Sequence, residues 1–470
     1  MQGPTLLELV DNRHGDPKKN GHGQDLPLPR PKLEILEKYS GMTIIEWEKK
    51  LRIPVFSGFE AARDEMDDES GKLSFFTLDH DKHATAPRTW INTHNCMGVL
   101  CLRDKPSGVA IQIEIGSRFD ANKSEGGRPF FLTYLLSKVF GGLLVDSVAL
   151  GRDSLWDLLL AFVFRRRFME AITVGMFREY HTSNHNDARI RGRIDVNEHL
   201  RRNIPFRGTV AYATHEITFD NPTNHLIRHA LELVRRKWPG CLMGDHRLTE
   251  AEHQLEQGTP TWQQAGVLAC IRRRENQTPI KHPYFAARYE PLRQVSLALL
   301  RNEGASLYQQ TQEAEGVIFD GSWLWEEYVW TSLREIDGFE HPRNREQTGR
   351  WSTPPGVTFY PDFFHRSKRV VLDAKYQRPL ADQNRERKKQ IAKQVFTYMF
   401  LLDAVHGGLI NPERNDGNRP AEITRQAGEK AKWHDLALEP PQDETSAMAF
   451  RSEMKKREEA FKEEVRKILG

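Results

Sequence analysis

The chain has 470 residues, and at roughly 150 residues per domain this length predicts about three domains. Lys and Arg number 68 and Asp and Glu number 65, which leaves a formal net charge of +3. This balance excludes a polycation that holds nucleic acid by bulk charge alone, although it permits a locally basic groove. The 4 cysteines are too few for a disulfide framework, and no apolar run reaches the ~20 residues of a membrane span. We therefore expect a cytoplasmic protein.

Composition and hydrophobic periodicity divide the first part of the chain into two predicted regions. Residues 1–40 are rich in Pro, Gly and charge and are expected to form a poorly ordered extension. Residues 41–127 are expected to form a β-rich N-terminal module. Its clearest signal is a hairpin, because residues 97–102 and 109–115 are rich in Val, Ile and Leu and flank a Pro/Gly turn.

The remainder is predicted to contain a helical region and a mixed C-terminal domain. Residues 128–300 are expected to form a mainly helical middle domain, with helices over 155–174 and 224–237. Residues 305–470 are expected to form the C-terminal domain. Its predicted elements are a helix over 323–336, a β-hairpin over 359–364 and 370–376, a helix over 385–402 and a charged amphipathic helix over 446–469.

The most informative segment is Pro361-Asp362, which ten intervening residues separate from Asp373-Ala374-Lys375. Because side chains alternate between the two faces of a strand, Asp373 and Lys375 share one face. Counting residues across the polar turn of the predicted hairpin puts Asp362 nearly opposite Asp373. The sequence therefore predicts that two carboxylates and an ammonium group converge at one edge of a small sheet.

This grouping suits metal-assisted hydrolysis of phosphodiesters. Two carboxylates a few ångströms apart repel each other and need a divalent cation between them, and their hard oxygen ligands suit Mg²⁺ or Mn²⁺. Such a metal polarises the scissile phosphate and lowers the pKa of a bound water, which a neighbouring lysine can orient or deprotonate. The alternative interpretation is a solvated face, because an Asp-x-Lys in an exposed strand usually has no catalytic role.

The helices on either side of the hairpin carry further candidate groups. Either Glu326 or Glu327 on the preceding helix can add a third carboxylate. Gln394 and Tyr398 lie four residues apart on the following helix, so they share a face. That helix begins with the basic run 385–389, which either contacts a phosphate backbone or forms a solubilising face.

The order Glu, Pro-Asp, Asp-x-Lys, Gln-x-x-x-Tyr resembles the PD-(D/E)xK nuclease superfamily. More narrowly, roughly residues 90–405 resemble McrC, the nuclease subunit of McrBC-type modification-dependent restriction systems. The blocks that carry this narrower resemblance are Gly-Met-Phe-Arg-Glu-Tyr at 175–180, Arg-Gly-Arg-Ile-Asp at 191–195, Asp-Asn-Pro-Thr-Asn-His-Leu-Ile at 220–227 and Leu-Trp-Glu-Glu-Tyr-Val at 324–329. The family often has Arg where this chain has His225 and a basic residue where it has Gln377, and neither departure touches the expected metal ligands.

The resemblance implies a fold and a set of site residues. The fold is α+β or α/β and multidomain, with a C-terminal restriction-endonuclease-like domain whose mixed sheet is flanked by helices. The implied metal ligands are Glu326, Asp362 and Asp373, the implied catalytic lysine is Lys375, and the implied supporting residues are Gln394 and Tyr398. Glu326 is preferred to Glu327 because it directly follows Trp325, as the family's glutamate follows an aromatic residue.

The resemblance also implies a partner. McrC-like subunits work with an AAA+ GTPase that recognises modified DNA and translocates, while the McrC subunit stimulates GTP hydrolysis and cuts. No Gly-x-x-x-x-Gly-Lys-Ser/Thr motif occurs in this chain, so a nucleotide motor would be a separate protein. We therefore expect a Mg²⁺-dependent DNA-cleaving subunit of a 5-methylcytosine restriction system that acts against phage.

Two other functions stay open at this point. The chain can be a non-cleaving activator of an AAA+ partner, or a PD-(D/E)xK nuclease that repairs DNA alone. The block at 191–195 is equally open, since Arg191 and Arg193 can contact DNA or the partner, or can pair with Asp195 or Glu198 to stabilise the middle domain.

Overall fold

A computed structural model describes most of the chain. The described residues are 5–13, 28–51, 53, 55–56, 73–81, 88–120, 130–140, 154–303, 313–342, 351–352, 358–378, 383–414, 421–424, 430–444 and 446–470. The chain divides into two compact units, one formed by residues 1–159 with 310–470 and the other by residues 160–309. Both helices and several mixed sheets are present, which confirms a mixed α/β multidomain protein.

The strands are numbered along the chain as follows: β1 Thr5–Val10, β2 Val55–Phe56, β3 Phe76–Asp81, β4 Arg88–Thr93, β5 Cys96–Arg103, β6 Ala110–Gly116, β7 Glu179–Asp187, β8 Arg193–Ile194, β9 Val210–Thr218, β10 Ala314–Asp320, β11 Phe339–Glu340, β12 Trp351–Ser352, β13 Thr358–Phe359, β14 Phe363–His365, β15 Val370–Ala374, β16 His406–Asn411, β17 Ala421–Thr424 and β18 Lys430–Ala437.

The α-helices are α1 Arg30–Tyr39, α2 Ile44–Leu51, α3 Phe130–Phe140, α4 Ser154–Ile172, α5 Val196–Arg202, α6 Pro222–Lys237, α7 His246–Gly258, α8 Val267–Arg272, α9 Arg274–Gln277, α10 Ala286–Glu303, α11 Gly321–Leu333, α12 Arg385–Leu401 and α13 Ala447–Leu469. In the described part of the chain, no helix combines the length and the apolarity that crossing a bilayer requires.

One mixed sheet of the first unit has, among the described residues, the strand order β1-β6-β5-β10-β2. Strands β5 and β6 pair antiparallel with Leu100 opposite Ile113, which confirms the predicted hairpin. Both side chains are buried in a cluster that also contains Leu36 from α1 and Trp47 from α2. Buried side chains alternate along β6, whereas β5 is buried at almost every position, and one face of the sheet packs under the two helices.

Strand β10 belongs to this sheet although it follows the second unit in sequence. It pairs antiparallel with β5, with Val317 opposite Val99, and it leads directly into α11. The observed sheet thus joins regions that the sequence analysis assigned to separate domains, 41–127 and 305–470. Local periodicity carries no information about a pairing over some two hundred residues, which is why this connection was not predicted.

The described N-terminal residues include a strand and a helix, in contrast to the loose extension expected for residues 1–40. Strand β1 runs parallel to β6, and its Leu7 and Leu9 pack against the core of the first sheet. Helix α1 begins with a proline in its first turn and buries Leu36 and Tyr39. The Pro-rich composition favours disorder, but the apolar side chains of β1 and α1 pack into the core and hold both elements in place.

A second mixed sheet of the first unit carries the predicted C-terminal hairpin. Among the described residues its strand order is β11-β14-β15-β16-β18-β17, with β15, β16 and β18 mutually parallel. One face packs on α12, where Val395 and Met399 meet Val371 and Leu409 in a buried cluster. The predicted helices over 323–336, 385–402 and 446–469 correspond to α11, α12 and α13.

The C-terminal helix is fixed to the same unit by a buried carboxylate. Glu458 of α13 accepts hydrogen bonds from the hydroxyl groups of Tyr134 at 2.8 Å and Tyr328 at 2.9 Å. Its second oxygen lies 2.7 Å from Nζ of Lys138. Because a buried charge needs such partners, these contacts tie α3, α11 and α13 together at one point.

The second unit is built around α6, which packs against α10. Asn221 caps α6 by accepting a hydrogen bond from the Asn224 backbone N–H at 3.0 Å, and His225 lies 2.6 Å from Asp220. The amide of Asn224 also donates to the carbonyl of Phe177 at 2.7 Å. The Asp-Asn-Pro-Thr-Asn-His block therefore organises the start of this helix.

The mainly helical middle region also contains strands that the sequence analysis did not predict. Strands β7, β9 and β8 form an antiparallel sheet in that order. Arg191 beside this sheet lies 3.2 Å from Asp187 and donates to the Tyr212 hydroxyl at 3.0 Å. Its observed partners are thus not the predicted Asp195, which caps α5, or Glu198. Strand β7 alternates between exposed and half-buried residues, but nearly all of its residues are polar, so its sequence lacks the apolar alternation that predicts a half-buried strand.

The pairing of β5 with β10 depends on a glycine and gives a first prediction. Gly98 has φ +140°, and a Cβ atom there would lie 2.1 Å from the Val317 carbonyl oxygen. We expect Gly98→Ala to lower the free energy of unfolding by about 3 kcal/mol or more, since it adds backbone strain to overpacking. Chemical denaturation measures this change.

The matched control is Gly108→Ala in the turn between β5 and β6. Gly108 has φ +68°, but a Cβ atom added there would meet nothing within 4 Å. This variant should lose only about 1–2 kcal/mol, the cost of a left-handed conformation. Equal losses in the two variants would contradict the steric role assigned to Gly98.

Candidate active site

The structure brings Asp362 and Asp373 together at the hairpin of β14 and β15. Phe363 lies opposite Leu372, so the same register continued by one residue puts Asp362 opposite Asp373. The backbone N–H of Ala374 donates to Oδ2 of Asp362 at 2.7 Å. One oxygen of Asp362 is therefore fixed by the very strand that carries Asp373.

Lys375 directly follows β15 and pairs with Asp373. Its Nζ lies 2.7 Å from Oδ2 of Asp373, whose side chain is only 1% exposed. Within the described residues, Oδ1 of Asp373 has no hydrogen-bond partner. A buried carboxylate oxygen without a donor is costly, so this atom is available to an additional positive ligand.

The electrostatics of the site are those of crowded, buried acids. Burial, followed by the negative charges of Asp373 and Glu326, raises the pKa of Asp362 well above its usual range. Burial opposes the charge of Lys375, yet the neighbouring Asp373 and Asp362 raise the pKa of its ammonium group. The lysine therefore stays a cation here, and one cation faces more than one carboxyl group.

Glu326 on α11 belongs to the same electrostatic group. Burial raises the pKa of Glu326 to about 7; His341 and Lys375 oppose this shift, and Glu327 and Asp373 add to it. The structure therefore brings Glu326 within interaction range of Asp373 and Lys375, and Glu327 is its near neighbour on the helix.

A histidine that the sequence analysis did not identify lies between these groups. His341 is 2% exposed, and its Nε2 lies 3.6 Å from Glu326 and 3.9 Å from Glu327. Its Nδ1 donates to the backbone carbonyl of Asp362 at 2.7 Å. His341 thus links the segment of Asp362 to the helix of Glu326. The one local signal that could have identified it in the sequence is its position directly after the short strand β11.

Gln394 and Tyr398 share a face of α12, as their spacing predicted. The Gln394 amide donates to the Tyr398 hydroxyl at 2.9 Å. Burial and the charges of Asp373 and Asp362 raise the pKa of Tyr398, while its bond from Gln394 opposes the shift. Tyr398 is therefore electrostatically coupled to the two aspartates, and Gln394 holds its hydroxyl group.

Helix α11 and the end of β15 are held by one backbone atom. The carbonyl oxygen of Ile410 in β16 accepts from the indole Nε1 of Trp325 at 3.0 Å and from the backbone N–H of Lys375 at 3.0 Å. Trp325 is fully buried and precedes Glu326 in the helix. A single acceptor therefore fixes the positions of Glu326 and Lys375 relative to each other.

The donor set fits a hard divalent cation that keeps much of its water. Among the described residues, no group of three or more His, Cys, Asp or Glu side chains converges closely enough to hold a metal ion together. Mg²⁺, however, usually binds through one or two carboxylates and completes its shell with water and substrate phosphate. Asp362 and Asp373 with the unpartnered Oδ1 of Asp373 supply such a pair of carboxylates.

Comparison with known families now identifies the group to which this sequence belongs. The family described as McrBC 5-methylcytosine restriction system component matches residues 91–412, which is more than half of the chain. The chain belongs to this family. The matched range includes the predicted ligands, Lys375, and both residues of the α12 pair, so this McrBC component carries its candidate site within the family region. Comparison with curated proteins gave no match.

Two solved structures resemble this McrBC component at low sequence identity. One is a chain of a half-complex from a tetradecameric assembly of Thermococcus gammatolerans McrB AAA+ hexamers with bound McrC; it is 15% identical, with a TM-score of 0.48, and the match covers 96% of this chain and 100% of that one. The other comes from the Thermococcus gammatolerans McrBC complex; it is 13% identical, with a TM-score of 0.30, and covers 70% and 87%. The family assignment rests on the sequence match.

The contact of His341 with Asp362 gives the second prediction. His341→Phe keeps the aromatic ring beside Trp330 and Phe363 but removes the donor to the Asp362 carbonyl. We expect the free energy of unfolding to fall by about 1–3 kcal/mol, because a buried carbonyl loses its donor. Urea denaturation monitored by tryptophan fluorescence measures the loss.

His365→Phe is the matched control. His365 is also buried, and its Nε2 donates to the backbone carbonyl of Asp337 at 3.1 Å. The two variants should lose similar stability, because each leaves one backbone carbonyl without its donor. A His341→Phe protein as stable as the wild type would refute the hydrogen bond.

Proposed function

We propose that this chain is the cytoplasmic, Mg²⁺-dependent subunit of a 5-methylcytosine restriction system that cleaves DNA and stimulates an AAA+ GTPase partner, a defence against phage. The proposal rests on one observation above all, the convergence of Asp362, Asp373 and Lys375 at the end of β15. A family of restriction-system components gives this arrangement its context. We further propose that the second sheet, with helices α11 and α12, is a nuclease domain of PD-(D/E)xK type.

Each side chain has a role that its environment suits. Asp362 and Asp373 would hold the cation, and Glu326 would hold it through water or orient a water ligand. When bound, Mg²⁺ would polarise the scissile phosphate and lower the pKa of a water ligand. Lys375, kept cationic by the two aspartates, would orient the attacking water and stabilise the negative charge that develops on the phosphate.

Helix α12 offers a route for the DNA backbone to the site. Arg387 precedes Gln394 by seven residues, so the two residues lie on one face of the helix together with Tyr398. Arg387 is exposed, as is Arg385 on the roughly opposite face. We propose that Arg387 contacts a phosphate near the scissile bond, while Arg385 serves solubility.

The second unit supplies a surface suited to a protein partner. Large apolar side chains near α5 are exposed, among them Val196 at 60%, Leu200 at 52%, Ile204 at 62% and Phe206 at 68%. These residues are near one another in the chain, and contiguous exposed apolar groups commonly mark protein interfaces. Because the chain has no nucleotide-binding motif of its own, we propose the AAA+ GTPase as the protein that covers this surface.

The main test of the function is a cleavage assay with methylated DNA, the AAA+ partner, GTP and Mg²⁺. Asp373→Asn and Lys375→Met should each reduce the cleavage rate by a factor on the order of 100 or more, since each removes charge that acts on the transition state. Both variants should still stimulate GTP hydrolysis by the partner. Chelation of divalent cations should abolish wild-type cleavage, and added Mg²⁺ should restore it.

The controls separate the proposed function from its alternatives. Asp403→Asn and Lys368→Met change exposed residues at turns of the same sheet and should cut like the wild type. Phe206→Ser should show the reverse pattern, with weakened stimulation of GTP hydrolysis. If the wild type stimulates the partner without cutting, the chain is a non-cleaving activator; if it cuts without partner or nucleotide, it is a stand-alone nuclease.

The proposed phosphate contact makes a separate prediction. Arg387→Gln should reduce the slope of log affinity against log salt concentration by about 1 for DNA binding by the complex, because one phosphate contact no longer releases a counterion. Arg385→Gln is the control with the same charge change on the other face of α12, and its slope should match the wild type. Equal slopes for all three proteins would exclude the contact.

A further inference from the structure

The residue after the candidate catalytic lysine is held by the other sheet of the same unit. Tyr376 is 4% exposed, and its hydroxyl group lies 2.6 Å from the hydroxyl of Ser117, just beyond β6. It also lies 3.5 Å from Sδ of Met97 in β5. The N-terminal sheet therefore reaches the end of β15 through a buried tyrosine.

Arg118 also holds Tyr376, through both its backbone carbonyl and its ring. Its guanidinium group donates to the backbone carbonyl of Tyr376 and lies over the Tyr376 ring, 4.7 Å from the ring centroid. The other terminal nitrogen of the guanidinium group donates to Oδ2 of Asp11 at 2.6 Å, and the backbone N–H of Arg118 donates to Oδ1 of Asp11 at 2.6 Å. Asp11 is fully buried at the end of β1. The planar fork of arginine thus joins a buried carboxylate to the carbonyl of Tyr376, a geometry that lysine cannot reproduce.

The packing around Tyr376 leaves it little freedom. A Cβ atom at Gly321, the first residue of α11, would lie 2.9 Å from the Tyr376 ring. The ring also contacts Phe119 edge-on, with centroids 5.0 Å apart. Any shift of Tyr376 would therefore move it against α11 or away from its hydrogen bonds, and Lys375 is its direct neighbour in the chain.

We propose that Asp11, Arg118 and Tyr376 form a clamp by which the N-terminal sheet positions Lys375 for catalysis. The three are positioning residues, because the atoms that would contact DNA belong to Lys375 and the aspartates. This inference rests on the proposed function for its catalytic consequence, while its structural part, the coupling between the N-terminal sheet and the end of β15, stands by itself.

The test compares Arg118→Lys with the wild type in the complete system of chain, partner, GTP, Mg²⁺ and methylated DNA. Arg118→Lys keeps the charge but cannot bridge Asp11 and the Tyr376 carbonyl. We expect the cleavage rate at saturating DNA to fall by about 10-fold to 100-fold, since small displacements of catalytic groups have effects of this size. The DNA concentration for half-maximal rate and the stimulation of GTP hydrolysis should not change.

Hydrogen–deuterium exchange of the full chain tests the coupling without any catalytic readout. In Arg118→Lys, the peptide that covers the end of β15 and Tyr376 should exchange about tenfold faster than in the wild type. Arg228→Lys is the matched control in the second unit, where Arg228 pairs with Glu256 at 2.8 Å and lies 5.2 Å from the centroid of Trp262. It should leave exchange at β15 unchanged.

Tyr376→Phe keeps the ring and loses only the hydroxyl contacts, so it covers the case in which Arg118→Lys fails to fold. It should change exchange and cleavage in the same direction by a smaller factor. Unchanged exchange at β15 and unchanged cleavage in the folded variants would overturn the clamp. A wild type that never cuts would overturn the proposed function instead, and the exchange data would still decide whether the two sheets are coupled.

Discussion

The constraint on which this site depends is the burial of several carboxyl groups around one ammonium group. Asp362 and Asp373 face each other across a hairpin, and Lys375 neutralises only part of their charge. Because Asp373 is fully buried and Asp362 is half-buried, water screens their repulsion only in part, and the protein must hold them by contacts that do not rely on their mutual attraction. If a divalent cation binds here as proposed, it would relieve this repulsion and offset part of the cost of the arrangement to stability.

The contacts that resist this repulsion come from backbone groups and from both sheets of the first unit. The Ala374 N–H fixes Asp362, the Ile410 carbonyl fixes both Trp325 and Lys375, and His341 joins the segment of Asp362 to α11. The N-terminal sheet adds its own supports through β10, which leads into α11, and through Tyr376. Because the supports converge from different parts of the chain, a change in one should shift the geometry without disrupting the site, and the proposed catalysis should be more sensitive than stability.

The local part of this arrangement could be predicted from the sequence, and the long-range part could not. Counting across one short turn was enough to pair Asp362 with Asp373, and a spacing of four residues was enough to pair Gln394 with Tyr398. Arg118 and Tyr376, in contrast, are separated by more than two hundred residues, and a buried histidine such as His341 has no distinctive sequence pattern. Strand β10 illustrates the same limit, since the sequence analysis predicted no strand there and local periodicity does not indicate which sheet a strand joins.

The order of the elements along the chain bears on the proposal that the second unit binds the partner and the first unit carries the candidate site. The second unit is inserted between β6 and β10, two strands of the same five-stranded sheet in the described structure. The C-terminal end of the second unit is followed in the chain by β10 and then by α11, which carries Glu326. If the exposed apolar side chains near α5 bind the AAA+ partner as proposed, that contact has a covalent route to the candidate site. The net charge of +3 is compatible with this proposal, because a chain that leaves DNA capture to its partner would need basic residues only where the DNA backbone enters the proposed site.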